Sequence, residues 1–230
     1  MKIRKLRFDF ALTSLPFSLL IPKREEGQAP LMRQPENSPG ITPIKELFRY
    51  DIFGLPADLR KWSEDPSSYS LEITGDAVTE RHYTLHDIRR FSPFRKEAVL
   101  QCMTRVHWGR VMVKGALLCD VLQDAGLQTG AFKVALWGGE GFSTDLFVQE
   151  ILNARENFIL VYEMNDEPLT PEHGFPLRVA ALGKYAYKWC KWLVTVKVLD
   201  SDFKGHYEGK RGWSDRAVRG EPVYTADDPP

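Results

Sequence analysis

The sequence predicts an α+β fold of mixed β-sheets, short helices and long loops, and three observations predict it. Apolar runs short enough for strands recur along the chain, helical spacing is confined to brief stretches, and glycine, proline and asparagine punctuate the intervals. At 230 residues the chain can bury one substantial core, or two small ones that pack together. Its 31 basic and 31 acidic residues cancel, which disfavours nucleic acid or an anionic membrane as partner and makes any recognition of anions local.

The order of the chain suggests an N-terminal arm and linker over 1–41, a main domain over 42–217 and a loosely held tail over 218–230. The opening MKIRKLRFDFALTSLPFSLLI is basic and then apolar, but Asp9 and Pro16 interrupt it. It reads as a strand or arm with no transmembrane span; the cytoplasm is the default compartment, and the basic-to-apolar order leaves export open. Residues 23–40, with Pro30, Pro35 and Pro39, read as a linker or surface loop. Thr42 and Pro43 open a short helix or turn anchored by Leu47, Phe48, Tyr50 and Phe53, with Arg49 among them.

Tyr69, Leu71 and Ile73 alternate up to Gly75-Asp76, as a strand entering a turn does. Thr84 and Asp87, three apart, form a capping pair for a helix through Phe91. His82 precedes it and is read, with His86, as a solvated surface histidine. Ala98 to Leu100 make a buried strand that delivers Cys102 into a turn holding Arg105, His107 and Arg110, and a helix through Leu117, Leu118, Val121, Leu122 and Ala125 stops at Gly126. Phe132 to Trp137 form a strand, and the glycine-rich 138–141 a loop. Thr144 caps a helix that holds Leu146, Phe147, Ile151 and Leu152. Phe158 to Met164 form a buried strand, and Trp192, Val194, Val196 and Val198 line one face of the last one.

Cysteines at 102, 119 and 190 form an odd, widely spaced set without a CxxC pair, which fits neither a disulfide framework nor a structural zinc site and suggests a reducing compartment. Cys119 lies in its helix's apolar stripe and Cys190 between tryptophans, as packing residues do. Cys102 sits where a strand ends, a usual place to present a reactive side chain, and neighbouring cations favour a thiolate, a soft ligand for a transition metal. The alternative for an isolated cysteine is a buried structural thiol. Arg178, Lys184, Lys188 and Lys191 are interleaved with Tyr185, Tyr187 and Trp189. Such cations among rings suit a phosphate and a flat heterocycle, although lysines also protect strand edges.

In order along the chain, LQC, GFSTDL, YEMNDEPLTPEHGFPLR, GKYAYKWCKWL and GHYEGKRGWSD resemble the molybdopterin-binding catalytic domain of the sulfite oxidase family, over roughly residues 42–217 and in its compact bacterial branch. The resemblance implies that family's topology, with a molybdenum–molybdopterin cofactor whose metal takes Cys102 as thiolate ligand. It implies that Arg178, Lys184, Tyr185 and Lys188 hold the pterin and its phosphate, that His173 lies close by, and that Arg49 stands beside the metal. Arg105 and His107, close to Cys102 in sequence, are further candidates to face substrate. The implied function is oxygen-atom transfer on a small substrate (a sulfite-like anion, a sulfoxide or an N-oxide), with a haem protein or other carrier exchanging electrons. Departures are Arg105-Val106-His107 where sulfite oxidases carry an arginine pair, Phe142 where many relatives have tyrosine, and Tyr50-Asp51 after Arg49. A non-catalytic module that kept the fold is the alternative these departures leave.

Overall fold

The computed structural model describes residues 40–224; the expected arm and most of the linker, over 1–39, and residues 225–230 lie outside the described residues. Among the described residues, ten strands make two sheets. In the first, β1 (Ser70–Gly75) pairs in parallel with β10 (Leu193–Leu199) and antiparallel with β2 (Arg81–Thr84), while β5 (Lys133–Gly138) joins β10 to β6 (Ser143–Phe147). The second is antiparallel: β3 (Pro93–Gln101), β4 (Trp108–Leu117) and β7 (Phe158–Met164) in succession, with β8 (Glu167–Pro168) and β9 (Arg178–Ala181) both paired to β7. The one parallel pair, β1 with β10, makes the first sheet mixed, in keeping with the expected α+β class.

The helices are short: α1 (Leu59–Glu64), α2 (Leu85–Arg90), α3 (Leu118–Asp124), α4 (Val148–Asn153) and α5 (His206–Arg211). The capping pair forms: the Thr84 hydroxyl accepts from the Asp87 N–H at 3.2 Å, and Asp87 accepts from the Thr84 N–H at 3.0 Å. Helix α3 buries Leu118, Cys119, Val121 and Leu122 in the main core, and Gly126 ends it at φ +78°, a left-handed conformation that glycine adopts without strain. Among the described residues no helix is long and apolar enough to cross a membrane.

Three stretches differ from expectation. The segment after Cys102 is a ten-residue strand, β4, rather than a turn leading into the α3 helix start. Its Val111 and Val113 alternate inward, and at Gly115 a Cβ would run into the Leu160 carbonyl of β7, so the glycine serves strand-to-strand approach. Thr144, Leu146 and Phe147 lie in β6, and the helix begins only at Val148; the Thr144 hydroxyl donates to Glu208 at 2.8 Å instead of capping. The stretch 218–224, expected to be loose, is tied down by bridges from Val218 to Lys184 and from Tyr224 to Trp213. There Val223 joins Tyr185, Tyr187, Trp213 and Ala217 in a second apolar cluster, against which Met103 and Tyr207 pack.

A buried ion network fastens α5 to the β5–β6 hairpin. Lys188 Nζ lies 2.7 Å from Asp145 and 2.5 Å from Glu208, and all three side chains are fully buried. Lys133 meets Asp145 at 3.3 Å, Asp202 at 2.6 Å and Asp215 at 2.9 Å. Buried charges persist only where opposite charges and hydrogen bonds compensate them, and here each lysine has at least two carboxylates.

Candidate active site

The end of β3 releases the chain into a tight loop in which the Cys102 N–H donates to the His107 carbonyl at 2.8 Å and the Cys102 carbonyl accepts from the Arg105 N–H at 3.0 Å. Arg105 takes the left-handed conformation at φ +64°, which closes the loop before β4 begins. Met103 anchors the loop in the second apolar cluster, and Cys102 is left half-buried with a free thiol. Beside it, the Tyr50 hydroxyl lies close enough to Cys102 to interact with it electrostatically and shares a 3.1 Å hydrogen bond with His107 Nδ1. Burial first, and then Cys102, pushes the Tyr50 hydroxyl above its usual pKa, so it is a proton donor at neutral pH.

Arg49 and Asp51 flank that tyrosine and reach a different group of residues. Arg49 stands 3.9 Å from Glu172. Asp51 pairs with Lys191, whose ammonium also donates to the Glu172 carbonyl at 3.2 Å and lies 4.0 Å over the Trp192 ring. His173 ends the short turn Pro171–His173, buried, and its carbonyl accepts from Arg178 Nη1 at 3.0 Å. Burial first, then Arg178 and Lys191, lower the His173 imidazole to about 4, so the ring is neutral at physiological pH. Arg178 is 3% exposed; it donates to the Trp189 carbonyl at 3.2 Å, its Nε has no partner, and among the described residues no carboxylate pairs with it. Burial lowers it to about 10. A buried cation without a counter-charge is costly, and an anionic ligand relieves that cost.

Of the residues expected to form the site, the structure therefore gathers Cys102 and His107 on one side and His173 and Arg178 on the other, with Arg49 at the junction. The Arg105 guanidinium is committed to the Tyr185 hydroxyl at 3.2 Å and to the Gly220 and Glu221 carbonyls, each at 3.3 Å. Tyr185 spends its hydroxyl on the Glu221 carbonyl and the Gly220 N–H, and Lys184 meets Glu150 and the Arg216 carbonyl, each at 2.6 Å. Lys188 belongs to the α5 network. Tyr50, Asp51 and Glu172 are additions from the structure, although the first two adjoin Arg49. Lys191, one of the interleaved cations, is the member that reaches Arg178's neighbourhood.

The glycine-rich loop between β5 and β6 completes this region. The Gly138 N–H donates to the Phe142 carbonyl and the Gly139 N–H to the Trp192 carbonyl, which packs the loop against the Lys191 segment. Glu140 folds back against Gly138 with one carboxylate oxygen buried and unpartnered. Burial, only partly offset by Lys191, raises it to about 7. From pH 4.5 to 7 the native state thus retains a proton that the unfolded chain has released, and stability falls as pH rises through that window. His173 acts oppositely: below about 6.5 the unfolded chain takes up a proton the native ring refuses until about 4, so its contribution falls on acidification. Glu140→Gln in the cofactor-free protein is expected to gain about 2 kcal/mol at pH 8, a gain that fades toward pH 4.5. Urea unfolding across that range checks it, and an unchanged difference at all pH values would contradict it.

A loop thiol, a tyrosine proton donor and a carboxylate-free buried arginine are features of a domain built to hold an anionic, metal-bearing group. The chain belongs to the family described as the oxidoreductase molybdopterin binding domain, whose model matches residues 59–207. Among known proteins it is 30% identical over 215 residues to a mitochondrial sulfite oxidase of Drosophila melanogaster, covering 81% of this chain and 37% of that one. It is 31% identical over 161 residues to the uncharacterized oxidoreductase YuiH of Bacillus subtilis, covering 69% of this chain and 77% of that protein. The chain thus spans little more than a third of the sulfite oxidase and about three quarters of YuiH. The sulfane dehydrogenase SoxCD from Paracoccus pantotrophus shares the fold, with a TM-score of 0.56 at 19% identity over 66% of this chain and 42% of that one. A molybdopterin-binding domain takes a molybdenum cofactor, and the residues present fit one: a partly exposed soft sulfur for the metal, and a buried uncompensated guanidinium for a phosphate.

Proposed function

We propose that the chain is a molybdenum-cofactor oxidoreductase that carries out oxygen-atom transfer on a small substrate, with the Cys102 thiolate as protein ligand of the metal. One observation carries the reading: the consecutive residues Arg49, Tyr50 and Asp51 join the Cys102 loop to the carboxylate-free Arg178 and to Lys191. Arg178 and Lys191 would hold the phosphate, and His173 the pterin edge. Lys184, Tyr185 and Lys188 would act from behind, keeping α5 and residues 213–221 in place. When bound, the cofactor supplies a two-electron metal couple and an exchangeable oxygen.

The chain's own residues would do the rest. The Tyr50 hydroxyl can give a proton at the Cys102 side, and His107 Nδ1 keeps it oriented. Arg49, held only weakly by Glu172, can turn toward a developing negative charge. An external electron carrier, a haem protein or another, would exchange electrons, since nothing among the described residues resembles a second redox centre. Cytoplasmic residence is proposed on the three free, widely spaced thiols.

Protein purified from a cofactor-proficient host is expected to carry about one molybdenum and one pterin per chain, by elemental analysis and by fluorescence of the oxidised pterin. A correctly folded chain that carries neither would refute the enzyme reading and favour a non-catalytic module.

A further inference from the structure

Two side chains tie the Cys102 loop to the segment 213–224 and to the tyrosine on which that segment packs. One residue after the cysteine, Met103 packs against the cluster of Tyr185, Tyr187, Trp213, Ala217 and Val223. Three residues after it, the Arg105 guanidinium donates through Nε to the Tyr185 hydroxyl at 3.2 Å and through Nη2 to the Gly220 and Glu221 carbonyls, each at 3.3 Å. Tyr185 is fully buried, and its hydroxyl also accepts from the Gly220 N–H at 3.1 Å, so one group fixes the arginine and the segment together. The segment is secured by its own backbone: the Tyr185 N–H donates to the Ala217 carbonyl and the Arg219 N–H to the Gly183 carbonyl, each at 2.8 Å.

Arg105 needs such an anchor. Its φ of +64° is a conformation that a residue with a side chain adopts at a cost, and it persists only where surrounding contacts over-determine it. In the same turn the Arg105 N–H donates to the Cys102 carbonyl at 3.0 Å, so a change in the arginine backbone carries the cysteine backbone, and the sulfur, with it. Arg105 is exposed and water could satisfy its guanidinium, yet the planar fork converges on three protein acceptors instead. We infer that Arg105 is a positioning residue: by anchoring the Cys102 loop on Tyr185 and the segment 213–224, it sets the direction in which the Cys102 sulfur is presented. The consequence for the metal rests on the reading of Cys102 as its ligand; the anchoring itself needs no cofactor.

The test measures the Cys102 thiol in the cofactor-free chain and the metal–sulfur bond in the loaded one. Cys119 and Cys190 are buried, so dithiobisnitrobenzoate should titrate a single thiol in the folded chain, and its rate reports how Cys102 is held. Arg105→Ala is expected to raise that rate about tenfold, Arg105→Lys to recover part of the difference, and Tyr185→Phe to give a smaller rise in the same direction. Added to Arg105→Ala, Tyr185→Phe should change little more, since both remove the same anchor. In protein loaded with molybdenum, Arg105→Ala should shift the visible sulfur-to-metal absorption and lower kcat about tenfold with KM little changed. Thiol rates within about twofold of wild type for Arg105→Ala and Tyr185→Phe, or reaction of the buried thiols as well, would overturn the inference. If Arg105→Ala does not fold, Arg105→Lys and Tyr185→Phe decide it. A chain that takes up no molybdenum would defeat the reading of Cys102 as ligand, while the thiol rates would still decide whether Arg105 anchors its loop.

Discussion

Replacing Cys102 by serine is expected to abolish turnover, by at least about a hundredfold, while leaving the fold and the pterin content in place. Outer-shell partners of a bound metal already cost about 10–100-fold when removed, and a thiolate bonded to the metal itself is worth more. The side chain is small and half-buried, and its loop is held by the backbone bonds between Cys102, Arg105 and His107 and by Met103, none of which needs the sulfur. With Arg178 and Lys191 as the proposed phosphate holders, the pterin is expected to stay. Elemental analysis, pterin fluorescence and the visible sulfur-to-metal absorption measure the separate parts. A variant that keeps the metal, that absorption and full turnover would remove Cys102 from the site.

Lys188→Met is expected to destabilise the protein by about 3–5 kcal/mol, the cost of breaking a buried ion cluster by removing one partner. Asp145 would keep Lys133 at 3.3 Å, but Glu208, already raised by burial and held down chiefly by Lys188, would lose its lysine. Because Glu208 lies on α5, the loss would also loosen Tyr207, which packs with Met103 of the Cys102 loop against the second apolar cluster, so cofactor retention should fall with stability. Adding Glu208→Gln should recover part of the loss, since it removes the orphaned charge. Denaturant unfolding of the single and double variants gives both numbers, and a single-variant loss below about 1 kcal/mol would contradict the network's role.

Local pattern determined much of this protein. The Thr84–Asp87 cap, the Phe158–Met164 and Leu193–Leu199 strands and the Gly126 stop are each specified within a few residues, by side-chain hydrogen bonding, apolar runs or backbone freedom. The ordered motifs made the family legible too, and Cys102 stood out by its place at a strand end. Longer-range matters were decided by the tertiary structure. The stretch after Cys102 read as a turn until β4 paired with β3 and β7, and Thr144 as a helix cap until Glu208 reached it from α5. Charge assignment shows the reason most clearly: Lys184, Lys188 and Lys191 are alike in sequence. Which of them is spent on Asp145 and Glu208, which on Glu150, and which lies beside the unpaired Arg178 depends on elements tens of residues away. Secondary structure answers to neighbours along the chain, whereas the partner of a buried charge is whatever the fold brings within about 4 Å of it.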